Sequence, residues 1–168
     1  GFVMGGSVIG NDSHGVLITS GFGRPEDGVV FPVLQIGGGV EHANIFTGIN
    51  TTGSIVNGRA EVGTVSIGGN MRATNLAIST SPGGDGQFGT DDDVLFPQGS
   101  GEGSAALARL IVGGQFLGTA DPTDGFGVSA QSIGSVSTGG VVIMDFTSPI
   151  GMASLTGDFS IGLSATPP

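Results

Sequence analysis

Between Ser81 and Val94 the chain reads Ser-Pro-Gly-Gly-Asp-Gly-Gln-Phe-Gly-Thr-Asp-Asp-Asp-Val. Four carboxylates, Asp85, Asp91, Asp92 and Asp93, fall within nine residues. Charges of one sign at this density repel each other unless a cation sits among them; without one, the segment is a solvated acidic turn. The cation that suits such a set is Ca²⁺, which takes six to eight hard oxygens, some of them backbone carbonyls. The interspersed glycines let the chain fold back so that carbonyls and carboxylates converge, and Phe88 offers an apolar anchor. The candidate ligands are Asp85, Gln87, Asp91, Asp92 and Asp93. Asp85, Asp91 and Asp93 lead this set, with Asp92 turned to solvent. The segment is not an EF-hand, because the D-x-D-x-D-G spacing and the glutamate at position twelve are missing.

Two fainter echoes of the same theme follow different turns. Asp121-Pro-Thr-Asp124-Gly125-Phe126-Gly127 makes Asp121 and Asp124 a weaker candidate for a second metal. Glu26-Asp27-Gly28 is weaker again, and both read first as tight turns, since Asp-Gly and Pro are turn chemistry. Other constellations lead nowhere catalytic. Asp12-Ser13-His14 lies in one short stretch, whereas a triad is a spatial arrangement with an activated serine, and no G-x-S-x-G elbow is present. His14 and His42 read as turn or surface residues. The Gly-x-Gly stretches open no helix and so cradle no phosphate. Asn11-Asp-Ser13 and Asn50-Thr-Thr52 match the glycosylation sequon at the frequency expected by chance.

The loop, with its order Asp85-Gly86-x-Phe88-Gly89-Thr90-x-Asp92-Asp93, resembles the DGxFGTxDD-type calcium loops of bacterial extracellular repeat proteins of the cell surface. It is more loosely similar to the Asp-rich loops of thrombospondin type 3 and RTX proteins, although the RTX nonapeptide is absent. The direct resemblance covers about a dozen residues. It implies a secreted or surface-anchored chain built from stacked β units and held rigid by calcium. Some calcium-dependent polysaccharide lyases are also β-helices with a basic catalytic residue, for which Arg109 is the candidate; a strand-edge arginine pairing with a nearby acid is the favoured reading.

The elements that must carry this loop are strands. Short runs of Val, Ile, Thr and Ser, cut by Gly and Asn, predict strands at Gly15–Ser20, Val29–Ile36, Thr64–Ile67, Asn75–Ser79, Leu110–Val112, Val141–Phe146 and Asp158–Leu163. The one helix-like stretch is Gly103 to Leu110, at most two turns. Gly-Gly pairs that follow an apolar residue or Thr recur at residues 5, 37, 68, 113 and 139, at intervals of 32, 31, 45 and 26 residues. The segments 33–45, 63–76 and 108–119 each read strand, Gly-Gly corner, strand. The long interval exceeds its predecessor by 14 residues, which fits an insertion at the aspartate loop. The chain is therefore expected to be one all-β domain spanning residues 1–168, a β-solenoid or β-helix-like stack of strand–Gly-Gly–strand units with an inserted loop at 81–94. An antiparallel β-sandwich or jelly roll is the alternative.

Composition narrows the function. The chain holds 14 acidic residues against 4 Arg and no Lys, a net charge of −10, which opposes binding to nucleic acid or anionic membranes. No apolar run reaches the length of a membrane span. There is no Cys, so no disulfide or thiolate chemistry exists. Charged residues make up only 11%, which leaves neutral surface for self-association. No leader is visible, and the sequence reads as a mature chain or an excised segment. The leading expectation is a non-enzymatic, extracellular structural protomer of a fibre, sheath or matrix, polymerising through sheet edges or terminal strands. Those strands are marked by Phe2, Val3, Val8 and Ile9 at one end and by Phe159, Ile161 and Leu163 at the other. A calcium-binding segment of a larger cell-surface adhesin is the alternative, and a calcium-dependent polysaccharide-active enzyme the third reading. No particular glycan is indicated.

Overall fold

A computed structural model describes residues 1–20, 29–51, 54–90, 92–95, 105–121, 124–145, 153–154 and 158–163. The expected all-β class holds, and no helix forms among these residues. The strands, in chain order, are β1 (Phe2–Met4), β2 (Val8–Ile9), β3 (Val16–Ser20), β4 (Val29–Ile36), β5 (Val40–Thr47), β6 (Glu61–Ile67), β7 (Met71–Ile78) and β8 (Thr80–Ser81). They continue as β9 (Val94–Leu95), β10 (Ala106–Val112), β11 (Phe116–Leu117), β12 (Phe126–Ala130), β13 (Ser132–Thr138), β14 (Val141–Asp145), β15 (Ala153–Ser154) and β16 (Phe159–Leu163). One sheet runs β1-β4-β6-β10-β13-β14. A second runs β15-β16-β12-β7-β5-β2, with β11 also pairing β7 and β3 also pairing β5.

Pairing corrects the sandwich alternative. Of the thirteen ladders among the described residues, ten are parallel; only β13–β14, β15–β16 and β8–β9 are antiparallel. A sandwich or jelly roll needs antiparallel neighbours throughout. Here most strands instead run parallel to their neighbours. Register keeps like beside like. Phe2, Leu34, Val65, Leu110, Val136 and Met144 form one column across the first sheet. Ile18, Ile45, Leu76, Val128 and Ile161 form another across the second. These columns meet in one apolar core, and a fully buried aliphatic residue there stabilises by about 1.5–3 kcal/mol.

The Gly-Gly pairs join the two sheets, and close backbone approach explains them. The Gly37, Gly68 and Gly113 amides donate to the carbonyls of Met4, Ile36 and Ile67 at 2.8, 2.8 and 2.7 Å. A Cβ on Gly37, Gly68 or Gly113 would overlap the carbonyl oxygen of Gly5, Gly37 or Gly68 in the preceding corner. The fifth pair departs from the expected pattern. Gly139 and Gly140 both take positive φ, 55° and 81°, and return the chain as β14 antiparallel to β13. That is a two-residue hairpin turn, not a corner.

The helix-like stretch is likewise corrected: Ala106–Leu110 is the first part of β10. Leu107 and Leu110 are buried in register with Val62 and Val65, and burial between two β-branched columns overrides the helical preference of Ala and Leu.

Candidate functional site

The inserted loop between β8 and β9 closes over the outer surface of the second sheet. Phe88 anchors it, as its position in the sequence suggests. The ring lies 5.3 Å from that of Phe46 and, with Ile49 and Ala77, forms a small apolar cluster separate from the main core. The sheet makes room with small residues. A Cβ on Gly127 would meet the Phe88 carbonyl, one on Gly162 the Gly89 carbonyl, and one on Gly125 the Gln87 side chain. Gly89 in turn has positive φ, 83°, and presses on Ser160.

The described carboxylates are drawn into the loop's own hydrogen bonds. Asp85 Oδ1 accepts from the Gln87 amide at 2.8 Å. Asp92 Oδ2 accepts from the Asp85 amide at 3.2 Å, and Asp92 Oδ1 accepts from the Thr90 hydroxyl at 2.8 Å. The Thr90 bond above all holds the exposed Asp92 carboxyl below its ordinary range. Asp93 points the other way. It is 6% exposed, and its Oδ2 accepts from the Gly89 amide at 2.8 Å. Burial pushes its carboxyl up to about 6, against the opposing pull of Ser129 and the Gly89 amide.

These placements bear on how a cation would be held. Asp85 and Asp92 face solvent, Asp93 faces the sheet, the Gln87 side chain leans on Gly125, and Asp91 lies outside the described residues, as do Glu26 and Asp27. Among the described residues no three His, Asp or Glu side chains gather closely enough to hold a metal ion. The described part of the loop thus supplies Asp85 and Asp92 as candidate ligands, fewer oxygens than Ca²⁺ takes.

The weaker pair is brought together around one threonine. The Thr119 hydroxyl donates to Asp124 Oδ1 at 2.7 Å, and the Asp121 amide donates to Thr119 Oγ1 at 3.2 Å. A second carboxylate meets the same threonine: Asp158 Oδ1 accepts from the Thr119 amide at 2.8 Å. Sequence reasoning passed over Asp158 because its partner lies 39 residues away. Arg109 is exposed on β10 in the first sheet, whereas the aspartate loop covers the second. His14 sits in the Asn11 turn, whose side-chain oxygen accepts the Ser13 and His14 amides at 3.0 and 2.9 Å. Asp12 stands against His42 Nδ1 at 3.2 Å rather than against His14.

At the strand-like ends, Phe2 and Val3 lie on β1 and Val8 and Ile9 on β2, each strand hydrogen-bonded on one side only. Phe159 and Ile161 are buried in β16, which has β12 on one side and β15 on the other; Leu163 ends that strand. No helix of the described residues is long and apolar enough to cross a membrane. A scan against protein-family models finds no match, and no curated protein or solved structure proves similar to this chain.

Proposed function

We propose that this chain is a β-solenoid segment with a structural role outside the cell, and that its copies associate through the edge formed by β1, β2 and β3. The observation that carries this reading is the pair Gly5-Gly6. At every later corner, a Cβ on the first glycine would strike the backbone of the corner before it. At Gly5 and Gly6 a Cβ would meet nothing within 4 Å, and neither residue takes positive φ. Nothing within the described chain demands glycine there; a neighbouring backbone packed on this edge would. Val3 and Ile9, 71% and 66% exposed, flank the same edge, and strand addition to an open edge is a general mode of association. In a longer chain, such as an adhesin, a preceding turn would take the same place. Calcium at Asp85 and Asp92 belongs to this proposal as a clamp on the aspartate loop, supported by the motif.

Sedimentation and electron microscopy test the association. The wild-type chain is expected to assemble as its concentration rises, and Gly5→Val is expected to stay monomeric with its thermal stability unchanged. A wild-type chain that remains monomeric at high concentration, or a Gly5→Val chain that assembles as well as wild type, removes the edge as a contact between copies.

A further inference from the structure

In β5 and β7, two stacked non-glycine residues turn left-handed at the same level. His42 has φ 47° and Ala73 φ 44°, while Glu41 pairs with Arg72 and Ala43 with Thr74 on either side of them. A left-handed residue is costly for an L side chain. His42 and Ala73 both line a groove of about 640 Å³ on the second sheet.

The groove is built from polar groups. Asn44 and Asn75 lie on its floor, with Asn75 Nδ2 donating to Asn44 Oδ1 at 2.9 Å. Asp12 and His42 stand at one side, Thr119, Asp121 and Asp124 at the other, with Phe126 beside them. These residues come from four successive levels of the stack. At a strand spacing of about 4.8 Å, the groove runs roughly 14 Å across the strands. Among the described residues no Lys or Arg lines it, so an anionic ligand finds no counter-charge there. The lining mixes amide donors with carboxylate and amide acceptors. Groups that both donate and accept match such a lining, and hydroxyls are those groups. A purely cationic ligand would use only the acceptors.

We propose that this groove binds an uncharged, hydroxyl-rich chain, a neutral glycan, laid across β5 and β7. One side of the site, Asn11 and Asp12, belongs to the turn between β2 and β3 at the edge proposed for association, so binding is measured at concentrations where the chain is monomeric.

Isothermal titration with cellohexaose, xylohexaose and mannohexaose tests it, beside tetragalacturonate as the anionic probe and hexalysine as the cationic one. At least one neutral hexasaccharide should saturate the protein. Asn44→Ala and Asp124→Ala should each weaken that binding about tenfold, as the loss of one or two hydrogen bonds does. Asp12→Ala, at a side chain 90% exposed, should weaken it about threefold with no change in melting temperature, so that a binding defect is separable from misfolding. Glu61→Ala, on the other sheet, should bind as wild type. The proposal is overturned if no neutral hexasaccharide binds, if the groove variants bind like wild type, or if tetragalacturonate or hexalysine binds as well.

Discussion

Asp93 is the residue at which burial and charge conflict most openly. Its carboxyl titrates at about 6 in the fold, against an ordinary value of 3.8. Between those two values the folded chain keeps a proton that the unfolded chain has lost, so stability falls as pH rises through that window. A shift of this size corresponds to about 2–3 kcal/mol lost by neutral pH. Asp93→Asn keeps the acceptor for the Gly89 amide and removes the charge. Thermal unfolding between pH 3.5 and 7.5 should show the variant more stable than wild type at pH 7, and a flattened slope between pH 4 and 6. An unchanged slope would mean that Asp93 is solvated in solution. The sequence displays the acidic run plainly, but not which member turns inward. That is decided by Gly125, Gly127 and Gly162, which open a trough on strands that follow much later in the chain. Likewise Asp124 was visible in its turn, while the Thr119 contact that connects it to Asp158 was not.

At the scale of the element, the Gly-Gly corners look alike in sequence and differ in what surrounds them. Gly68→Ala drives a methyl group into the Gly37 carbonyl and should cost about 2 kcal/mol or more, the range for overpacking against backbone. Gly6→Ala meets open space and should change the stability of the monomer by less than about 0.5 kcal/mol. Urea unfolding of the two variants measures the contrast, and equal effects would show that the corners do not stack as described. The strands themselves were legible from β-branched runs and glycine punctuation; Val29–Ile36 matches to the residue. The direction of pairing was not, because parallel and antiparallel neighbours bury the same alternating side chains. The hairpin at Gly139-Gly140 was also hidden. Its dipeptide matches the other corners, and only the two positive φ values separate them.

At the scale of the whole molecule, mainly parallel ladders tie the strands of the two large sheets around one apolar core, whose burial supplies the folded chain's stability. A ligand bound only by the folded chain adds to that stability by RT ln(1 + [L]/Kd), about 2.7 kcal/mol at a hundredfold excess over Kd. Calcium at the loop should therefore raise the melting temperature, a chelator should reverse the rise, and Asp92→Asn should abolish it. A melting temperature indifferent to calcium, chelator and Asp92→Asn alike would leave the loop held by its own hydrogen bonds and by Phe88 alone. That the aspartate loop falls within the long 45-residue interval could be read from the sequence. Its seat on β12 and β16 could not, since that contact depends on the completed stack.

That seat imposes an order in time. The Phe88 ring packs on Phe46, Ile49 and Ala77, which precede it, but Gly89 presses on Ser160 of β16, a strand that begins 70 residues after Gly89. A ribosome adding about 5–20 residues per second leaves the loop without its full seat for several seconds of synthesis. During that interval a run of aspartates, rather than an apolar segment, faces solvent at the growing end of the stack. The loop is thus held first through Phe88 on strands already made, and its seat is completed only when β16 arrives.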